Sequence, residues 1–313
     1  MKHLFAALVL LFALGAQAKT WPFVLIGDTP YSDDERSEFP LMLESIVAEN
    51  PAFIVHIGDI KTSHAKCSDD IFLDRYRLFE TSRVPFILTP GDNEWTDCKN
   101  LVPGHFNELE RLGKLREIFF ARPFSIGQTR IPVEQQSAAY PENLRWRLGP
   151  VIFLTLNVPG PDNNFGNGEK AGAEFLARNP KLVDWLKSGF SVARREKATG
   201  IVIAMQGDPA LQLFDAGLAH RGFRELLETL RRETLAFPGQ VLLLHGDTHW
   251  QRIDHPLHYP GRLEPIANFT RVESFGYPFM GWVKIIIDSE DPALFRFEVH
   301  RHKTDRFAWP ITH

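Results

Sequence analysis

Residues 84–98, "VPFILTPGDNEWTDC", run from a short apolar segment directly into an aspartate, an asparagine and a glutamate. The apolar segment predicts a buried β-strand, and the Pro-Gly pair predicts a turn where that strand ends. The same Gly-Asp pair occurs five times in the chain, where chance placement would give roughly one. Each pair follows a hydrophobic run, and the aspartates are Asp28, Asp59, Asp92, Asp208 and Asp247.

The first third of the sequence alternates predicted strands with predicted amphipathic helices. The strands cover residues 22–27, 53–57 and 85–88, and the helices cover 38–49, 69–82 and 105–120. The first three Gly-Asp aspartates are 31 and 33 residues apart, the length of one βαβ unit each. Parallel strands joined by right-handed crossovers end at the same sheet edge, so we expect Asp28, Asp59 and Asp92 to lie together.

The rest of the sequence keeps this pattern and then becomes rich in strands. We predict a hairpin over 143–158, a polar loop over 159–170, and a helix from Asn179 and Pro180 to about 196. Another helix is predicted near 221–236, and further strands over 200–205, 240–245, 249–254, 265–274, 281–287 and 294–301. The order predicts one α/β domain with two sheets, one rich in parallel strands and one antiparallel, and with helices outside.

The first eighteen residues, "MKHLFAALVLLFALGAQA", have the pattern of a secretory signal peptide cleaved after Ala18. An uncleaved membrane anchor is the alternative, but the apolar stretch is short for a bilayer span. We therefore expect residues 19–313 to form the mature domain, periplasmic or secreted, with no transmembrane segment after cleavage.

The composition of the 313 residues, 44% hydrophobic with 25 phenylalanines, can fill a large core. The net charge is −4, and no basic stripe suggests a nucleic acid or an anionic membrane as a specific partner. The sequence leaves the oligomeric state open.

The two cysteines, Cys67 and Cys98, each follow a Gly-Asp pair by a few residues. In an oxidising compartment two such neighbouring loops can be bridged, so we predict a Cys67–Cys98 disulfide. Two free thiols are the alternative. The bridge would brace the loops that carry the acids.

Aspartates that share one crevice raise each other's pKa unless cations neutralise them, and a divalent ion is the usual solution. For a single Gly-Asp pair, the simpler interpretation is a turn in which the aspartate caps the next helix. Five pairs at strand ends favour a metal site instead. The candidate ligands are Asp28, Asp59, Asp92, Asp247, His249 and the amide of Gln206, whereas Asp208 is interpreted as a supporting or turn residue.

The ordered series "GDTP" (27–30), "GDIK" (58–61), "GDNE" (91–94), "AMQGD" (204–208) and "GDTH" (246–249) resembles the calcineurin-like metallophosphoesterases. The blocks of that family read D-x-H, G-D, G-N-H-[DE], an isolated His and G-H-x-H. The resemblance covers roughly residues 22–287. It implies a four-layer α/β/β/α sandwich of two mixed β-sheets, a two-metal site and phosphoester hydrolysis.

The resemblance also implies a ligand set. The first ion would take Asp28, Asp59 and His249, and the second would take Asp59, Asp92, Gln206 and Asp247. The histidine of the first block falls on Pro30, which has no side-chain ligand, and the active-site histidine is replaced by Asn93. Asn93 can hydrogen-bond a phosphoryl oxygen, but it cannot deliver a proton.

Oxygen ligands with a single imidazole favour Mn²⁺, Mg²⁺ or Ca²⁺ over Zn²⁺, with iron possible, and one or two ions would fit this pattern. Lys61 could take the place of one ion or contact phosphate, although a surface lysine is equally consistent. His64 is a candidate general acid, with a solvated loop histidine as the alternative.

Four further positions follow from the same blocks and from the long polar loop. Glu94 is expected to orient Asn93, and Trp95 either packs beneath its loop or flanks a substrate. Asn163 and Asn164 are candidates for the rim of the substrate pocket.

The sequence therefore predicts a divalent-metal-dependent phosphoester hydrolase acting on a phosphorylated small molecule or a phosphodiester. The missing histidines keep an alternative open: a non-catalytic module of the cell envelope that binds a metal or a phosphoryl ligand. No G-x-S-x-G elbow, P-loop or G-x-G-x-x-G fingerprint occurs, which argues against other doubly wound hydrolases.

Overall fold

The computed structural model describes residues 20–166 and 168–302, so the predicted signal peptide over 1–18 lies outside the described residues. The strands are β1 (Thr20–Ile26), β2 (Ile54–His56), β3 (Phe86–Leu88), β4 (Glu134–Ser137), β5 (Tyr140–Leu148), β6 (Val151–Thr155), β7 (Gly200–Ala204), β8 (Gln240–His245), β9 (Arg252–Asp254), β10 (Phe269–Glu273), β11 (Gly281–Asp288) and β12 (Phe295–Arg301). The helices are α1 (Asp33–Ala48), α2 (Asp69–Glu80), α3 (Glu108–Phe119), α4 (Ala173–Arg195), α5 (Leu211–Asp215) and α6 (Arg221–Leu235), with a 3₁₀ turn at Asp97–Lys99.

The strands form two mixed sheets. The five-stranded sheet has the order β12-β11-β1-β2-β3, in which β1, β2 and β3 are parallel and β11 and β12 are antiparallel. The seven-stranded sheet has the order β4-β5-β6-β7-β8-β10-β9, in which β6, β7, β8 and β10 are parallel. Both sheets therefore contain a run of parallel strands, which differs from the expected division into one parallel-rich and one antiparallel sheet.

Aromatic side chains join the two sheets face to face. Phe23 and Phe53 of the five-stranded sheet each lie with their ring centroids 5.1 Å from that of Phe153 of the seven-stranded sheet. Burying such a side chain contributes about 1.5–3 kcal/mol. Leu186 of α4 and Phe223 of α6 pack in a second core against the other face of the seven-stranded sheet. The predicted four-layer sandwich of two mixed sheets flanked by helices is confirmed.

Two helices begin earlier than the sequence pattern predicts. Helix α1 begins at Asp33 because the Ser32 hydroxyl accepts the Glu35 backbone N–H at 3.2 Å, a polar start that hydrophobic periodicity does not detect. Helix α4 begins at Ala173, so Asn179 is not its N-cap and Pro180 lies inside the helix. A proline at that position leaves the carbonyl of Leu176 without its helical partner. Leu176 lies on an exposed side of the helix, where water can satisfy it.

The loops after β2 and β3 are joined covalently. Cys67 and Cys98 form the predicted disulfide, with their Cα atoms 5.7 Å apart. Both residues are buried, and they lie in the loops that follow Asp59 and Asp92. Between residues 20 and 302, setting aside the undescribed residue 167, no helix has the length and hydrophobicity to span a bilayer.

Candidate metal centre

The acidic loops leave the strands in an unusual backbone conformation. Asp28, Asp59 and Asp247 have φ angles of 50°, 56° and 79°, and His249 has a φ of 62°. Non-glycine residues adopt this left-handed region rarely, and such residues concentrate at functional sites.

Asp28 connects the two sheets. Its backbone N–H donates to the carbonyl of Gly58 at 3.0 Å, which links the ends of β1 and β2. Its Oδ1 accepts the backbone N–H of Asp247 at 3.1 Å, and its Oδ2 accepts the hydroxyl of Ser274 at 3.1 Å. Asp247 and Ser274 follow β8 and β10 of the other sheet, so this buried carboxylate fixes the junction between the sheets.

His249 presents one ring nitrogen to this carboxylate. Its Nδ1 lies 2.8 Å from the carbonyl oxygen of Tyr277, which can only accept, so we assign the ring proton to Nδ1. The lone pair of Nε2 then faces Oδ1 of Asp28 at 3.7 Å. A carbonyl on one ring nitrogen and a free lone pair on the other is the usual arrangement of a metal-binding histidine.

Asp59 is held by three donors. Its Oδ2 accepts the Tyr31 hydroxyl at 2.8 Å and the Asn93 side-chain amide at 2.7 Å. Its Oδ1 accepts the backbone N–H of Asn93 at 3.2 Å. The Asn93 amide also donates to the Tyr31 hydroxyl at 2.9 Å. Sequence reasoning missed Tyr31, although it directly follows the "GDTP" block and carries a hydroxyl on the same loop.

Gln206 and Asp247 form the opposite wall. The Oε1 of Gln206 accepts the backbone N–H of Gly160 at 2.7 Å, and its Nε2 donates to Oδ1 of Asp247 at 3.2 Å. Oδ2 of Asp247 accepts the backbone N–H of Asp208 at 3.1 Å. Gln206 therefore turns its N–H groups, and not its oxygen, toward the acids.

Burial and mutual repulsion act on the carboxylates of this centre. Burial, and next the negative charge of Asp247, raise the pKa of Asp28 and of Asp92 well above the usual range. Burial and the charge of Asp92 do the same to the pKa of Asp59, and burial raises the pKa of Asp247. Among the described residues, the buried Oδ1 of Asp92 has no hydrogen-bond partner. A cation that joined this cluster would favour the ionised form of its carboxylates.

Comparison with solved structures gives this architecture a place among known folds. PhoD matches with a TM-score of 0.56 at 14% identity, over 91% of this chain and 69% of that one. A dimetal phosphatase from Danio rerio matches with a TM-score of 0.53 at 11% identity, over 90% and 99%. GAP50, described as the anchor in the inner membrane complex of Plasmodium, matches with 0.52 at 13%, over 93% and 91%.

The chain shares the fold of these structures, the calcineurin-like fold. This agrees with the resemblance noted in the ordered Gly-Asp blocks. No protein-family model matches the sequence, and no curated protein matches it either. At these identities the likeness concerns the fold, so the chemistry has to be judged from the residues of this chain.

The donor set of carboxylates and one imidazole suits a divalent cation. Glycines let the backbone close over the carboxylates: a Cβ at Gly91 would lie 2.0 Å from Oδ1 of Asp59, and one at Gly246 would lie 2.2 Å from Oδ2 of Asp28. Oδ1 of Asp28 and Nε2 of His249 lie 3.7 Å apart. In the part of the chain that the structure describes, three His, Cys, Asp or Glu ligand atoms come within 4.8 Å of one another only at Glu49, Glu298 and His300.

Lys61 is neither a surface lysine nor an ion pair within the centre. Its side chain is only 1% exposed, and its Nζ donates to the carbonyls of Thr62 at 3.2 Å and Ala65 at 3.0 Å. No carboxylate of the described residues lies within 4.0 Å of that nitrogen to form a salt bridge. Burial lowers the pKa of Lys61, although the charge of Glu94 opposes this.

His64 and Glu94 do not have the surroundings that the sequence suggested. His64 is exposed on its loop, and its Nδ1 lies 3.3 Å from the hydroxyl of the adjacent Ser63. Glu94 is buried and accepts the backbone N–H of Ile60 at 3.2 Å. The expectation that Glu94 orients Asn93 is corrected, because Asp59 and Tyr31 hold the Asn93 amide.

Three residues expected at the substrate rim lie elsewhere. Trp95 is fully buried with the Arg178 guanidinium 5.5 Å from its ring centroid, so it packs beneath the loop and cannot flank a substrate. Asn163 is also buried, where its amide donates to the Gly222 carbonyl at 2.9 Å and its Oδ1 accepts from Arg178 at 2.7 Å. Asn164 is half-buried and donates to the Glu174 carboxylate on α4 at 2.9 Å. All three side chains therefore contact residues of α4, Arg178 or Glu174.

Proposed function

We propose that this protein is a divalent-metal-dependent phosphoester hydrolase with a carboxylate-rich metal centre. The observation that supports this most is the meeting of Asp28 and Asp247, from opposite sheets, with the free imidazole nitrogen of His249. The unpartnered oxygen of Asp92 supplies a further acceptor in the same cluster. The fold is also that of known dimetal phosphatases.

The residues that would hold the cation are Asp28 and His249, with Asp92 and Asp247 as further oxygen ligands. Three carboxylates with one imidazole suit Mn²⁺, Mg²⁺ or Ca²⁺ better than Zn²⁺. When bound, the cation supplies electrostatic stabilisation of the charge that develops on the phosphoryl oxygens.

The residues around the cation limit the range of substrates. Asn93 holds Asp59 through both its backbone and side-chain N–H groups, and an amide cannot protonate a leaving group. His64, the candidate acid, is directed to its neighbour on an exposed loop. We therefore propose phosphorylated small molecules or phosphodiesters whose leaving group departs without a proton.

We further propose that the protein acts in the periplasm or outside the cell after cleavage at Ala18. The buried Cys67–Cys98 disulfide supports this proposal, because such bonds persist in oxidising compartments.

A second function, a non-catalytic binding module, is favoured by one observation. The position of the leaving-group histidine is taken by Asn93, whose amide is committed to Asp59 and Tyr31. GAP50, a protein described as an anchor, has the same fold. Such a module would bind a divalent cation or a phosphoryl ligand and release no product.

Hydrolysis of p-nitrophenyl phosphate and bis(p-nitrophenyl) phosphate tests the catalytic proposal. We expect activity that a chelator abolishes and that Mn²⁺ or Mg²⁺ restores. The Asp28→Asn variant should lose this activity, whereas Glu298→Gln, in the separate acidic cluster, should retain it. Cation binding without turnover of either ester would favour the binding module, and activity indifferent to chelator and to Asp28→Asn would exclude the metal centre.

A further inference from the structure

We propose that this centre takes one divalent cation and not two, because Tyr31 and Asn93 occupy the carboxylate that would have to bridge a pair. The inference rests on the proposed metal-binding function and specifies its stoichiometry. It is drawn from the hydrogen bonds of Asp59 and Gln206.

Asp59 has too few free lone pairs to bridge two ions. Each carboxylate oxygen offers about two acceptor sites. At Oδ2 both are used, by the Tyr31 hydroxyl at 2.8 Å and the Asn93 amide at 2.7 Å. At Oδ1 the Asn93 backbone N–H takes one at 3.2 Å, which leaves one. Asp59 can therefore contact a single cation through Oδ1.

Tyr31 is firmly placed for this role. Its ring lies edge-on to the His249 ring with centroids 5.2 Å apart, and it stacks on Tyr277 at 6.0 Å. The Asn93 amide donates to the same hydroxyl at 2.9 Å, so the hydroxyl proton is directed to Asp59. These three side chains close a hydrogen-bonded triangle at Oδ2 of Asp59.

Gln206 is the other obstacle to a second ion. A carboxamide binds a metal through its oxygen, and the Gln206 oxygen accepts the Gly160 backbone N–H at 2.7 Å. The N–H that it donates to Asp247 at 3.2 Å fixes the amide in this orientation. A second ion would therefore lack two of its expected ligand atoms, the amide oxygen of Gln206 and an oxygen of Asp59 that could bridge two ions.

The remaining free acceptors fit one ion. Asp28 Oδ1 and His249 Nε2 face each other at 3.7 Å, and Asp92 Oδ1 has no partner among the described residues. Oδ1 and Oδ2 of Asp247 each carry one hydrogen bond, so each keeps a free site. One cation would use these acceptors after the side chains close around it, because among the described residues no three ligand atoms of this cluster lie within 4.8 Å of one another.

The stoichiometry can be measured directly. Chelator-treated, full-length mature protein is dialysed against Mn²⁺, and bound metal is counted by elemental analysis alongside the electron paramagnetic resonance spectrum. We expect one Mn²⁺ per chain and a spectrum of isolated ions. Two ions per chain, or a spectrum of exchange-coupled pairs, would overturn the inference and leave the proposed function intact. No bound ion would overturn both.

A pair of variants tests the assignment to Tyr31 and Asn93. The Tyr31→Phe/Asn93→Ala double variant frees Oδ2 of Asp59, and we expect it to bind a second Mn²⁺. The control, Tyr140→Phe, removes a hydroxyl that bonds only the Ala177 carbonyl on α4 and should keep the wild-type count. A double variant that folds, by circular dichroism, and still binds one ion would contradict the assignment. Should it fail to fold, the wild-type count decides.

Discussion

Single atoms decide the chemistry of the centre, and His249 illustrates this. Its Nδ1 is committed to the Tyr277 carbonyl and its Nε2 faces Asp28, so the ring has one tautomer and one free lone pair. Asn93, one strand away, has no proton to give. In the metal centre that we propose, these residues would therefore bind a cation and give little help to a poor leaving group.

Leaving-group dependence tests this description. General acid help typically contributes about 10²–10⁴-fold, so esters whose leaving group needs a proton should react more slowly by that order. We expect p-nitrophenyl phosphate to be hydrolysed at least about 100-fold faster than an alkyl phosphate. Steady-state kcat/KM values across a series of leaving groups measure this, and a flat series would reveal a proton donor that we have not assigned.

A second residue-scale prediction concerns Glu273, at the end of β10. Burial raises its pKa to about 7, although Arg252 Nε lies 2.7 Å from its Oε2. Below pH 4.5 the carboxyl is protonated in both the folded and the unfolded chain. As the pH rises to about 7 the unfolded chain ionises first, so the folded state loses about 3 kcal/mol.

The Glu273→Gln variant lacks this penalty. Urea unfolding gives the free energy of unfolding of both proteins. The difference, wild type minus variant, should fall by about 3 kcal/mol between pH 4 and pH 8. A difference that stays constant with pH would show that Glu273 titrates normally in the folded state.

The elements position these residues through the carboxyl ends of their strands. The ends of β1, β2 and β3 carry Asp28, Asp59 and Asp92, and the end of β8 carries Asp247. The disulfide ties the second and third of these loops together across 31 residues.

Removing the disulfide should therefore cost stability. In the chain-entropy treatment, a closed loop of this length contributes about 3–4 kcal/mol. We expect the Cys67→Ser/Cys98→Ser variant to lose that amount in urea unfolding. A reductant should destabilise the wild type and leave the variant unchanged. If the wild type without reductant and the variant had the same free energy of unfolding, the bridge would not constrain the unfolded chain.

Strand ends could be predicted from sequence, but side-chain directions could not. Alternating strands and helices can be recognised from local sequence patterns. Parallel strands joined by right-handed crossovers end at the same edge of the sheet, so the sequence predicts that Asp28 and Asp59 lie together. Tyr31 was missed because the direction of its hydroxyl depends on the loop around it. The burial of Asn163 was not foreseen, and the two placements of Trp95 stayed open, because both side chains contact Arg178, a residue of another element.

The whole molecule makes the site at the junction of its two sheets. Asp28 belongs to the five-stranded sheet and Asp247 to the seven-stranded sheet, and a hydrogen bond of 3.1 Å joins them across 219 residues. The two halves of the centre assemble only when the sandwich forms. Cation binding should consequently depend on the complete fold and on residues from both sheets.

Mn²⁺ affinity tests the location of the centre most directly. Isothermal titration of wild type, His249→Ala and His300→Ala compares the proposed centre with the Glu49–Glu298–His300 cluster, whose three ligand atoms lie within 4.8 Å of one another. We expect His249→Ala to weaken Mn²⁺ binding by at least about 100-fold. Loss of a residue that only hydrogen-bonds a metal ligand already weakens metal binding by about 10–100-fold. His300→Ala should bind like the wild type. Unchanged affinity in His249→Ala, or loss of affinity in His300→Ala, would contradict the account.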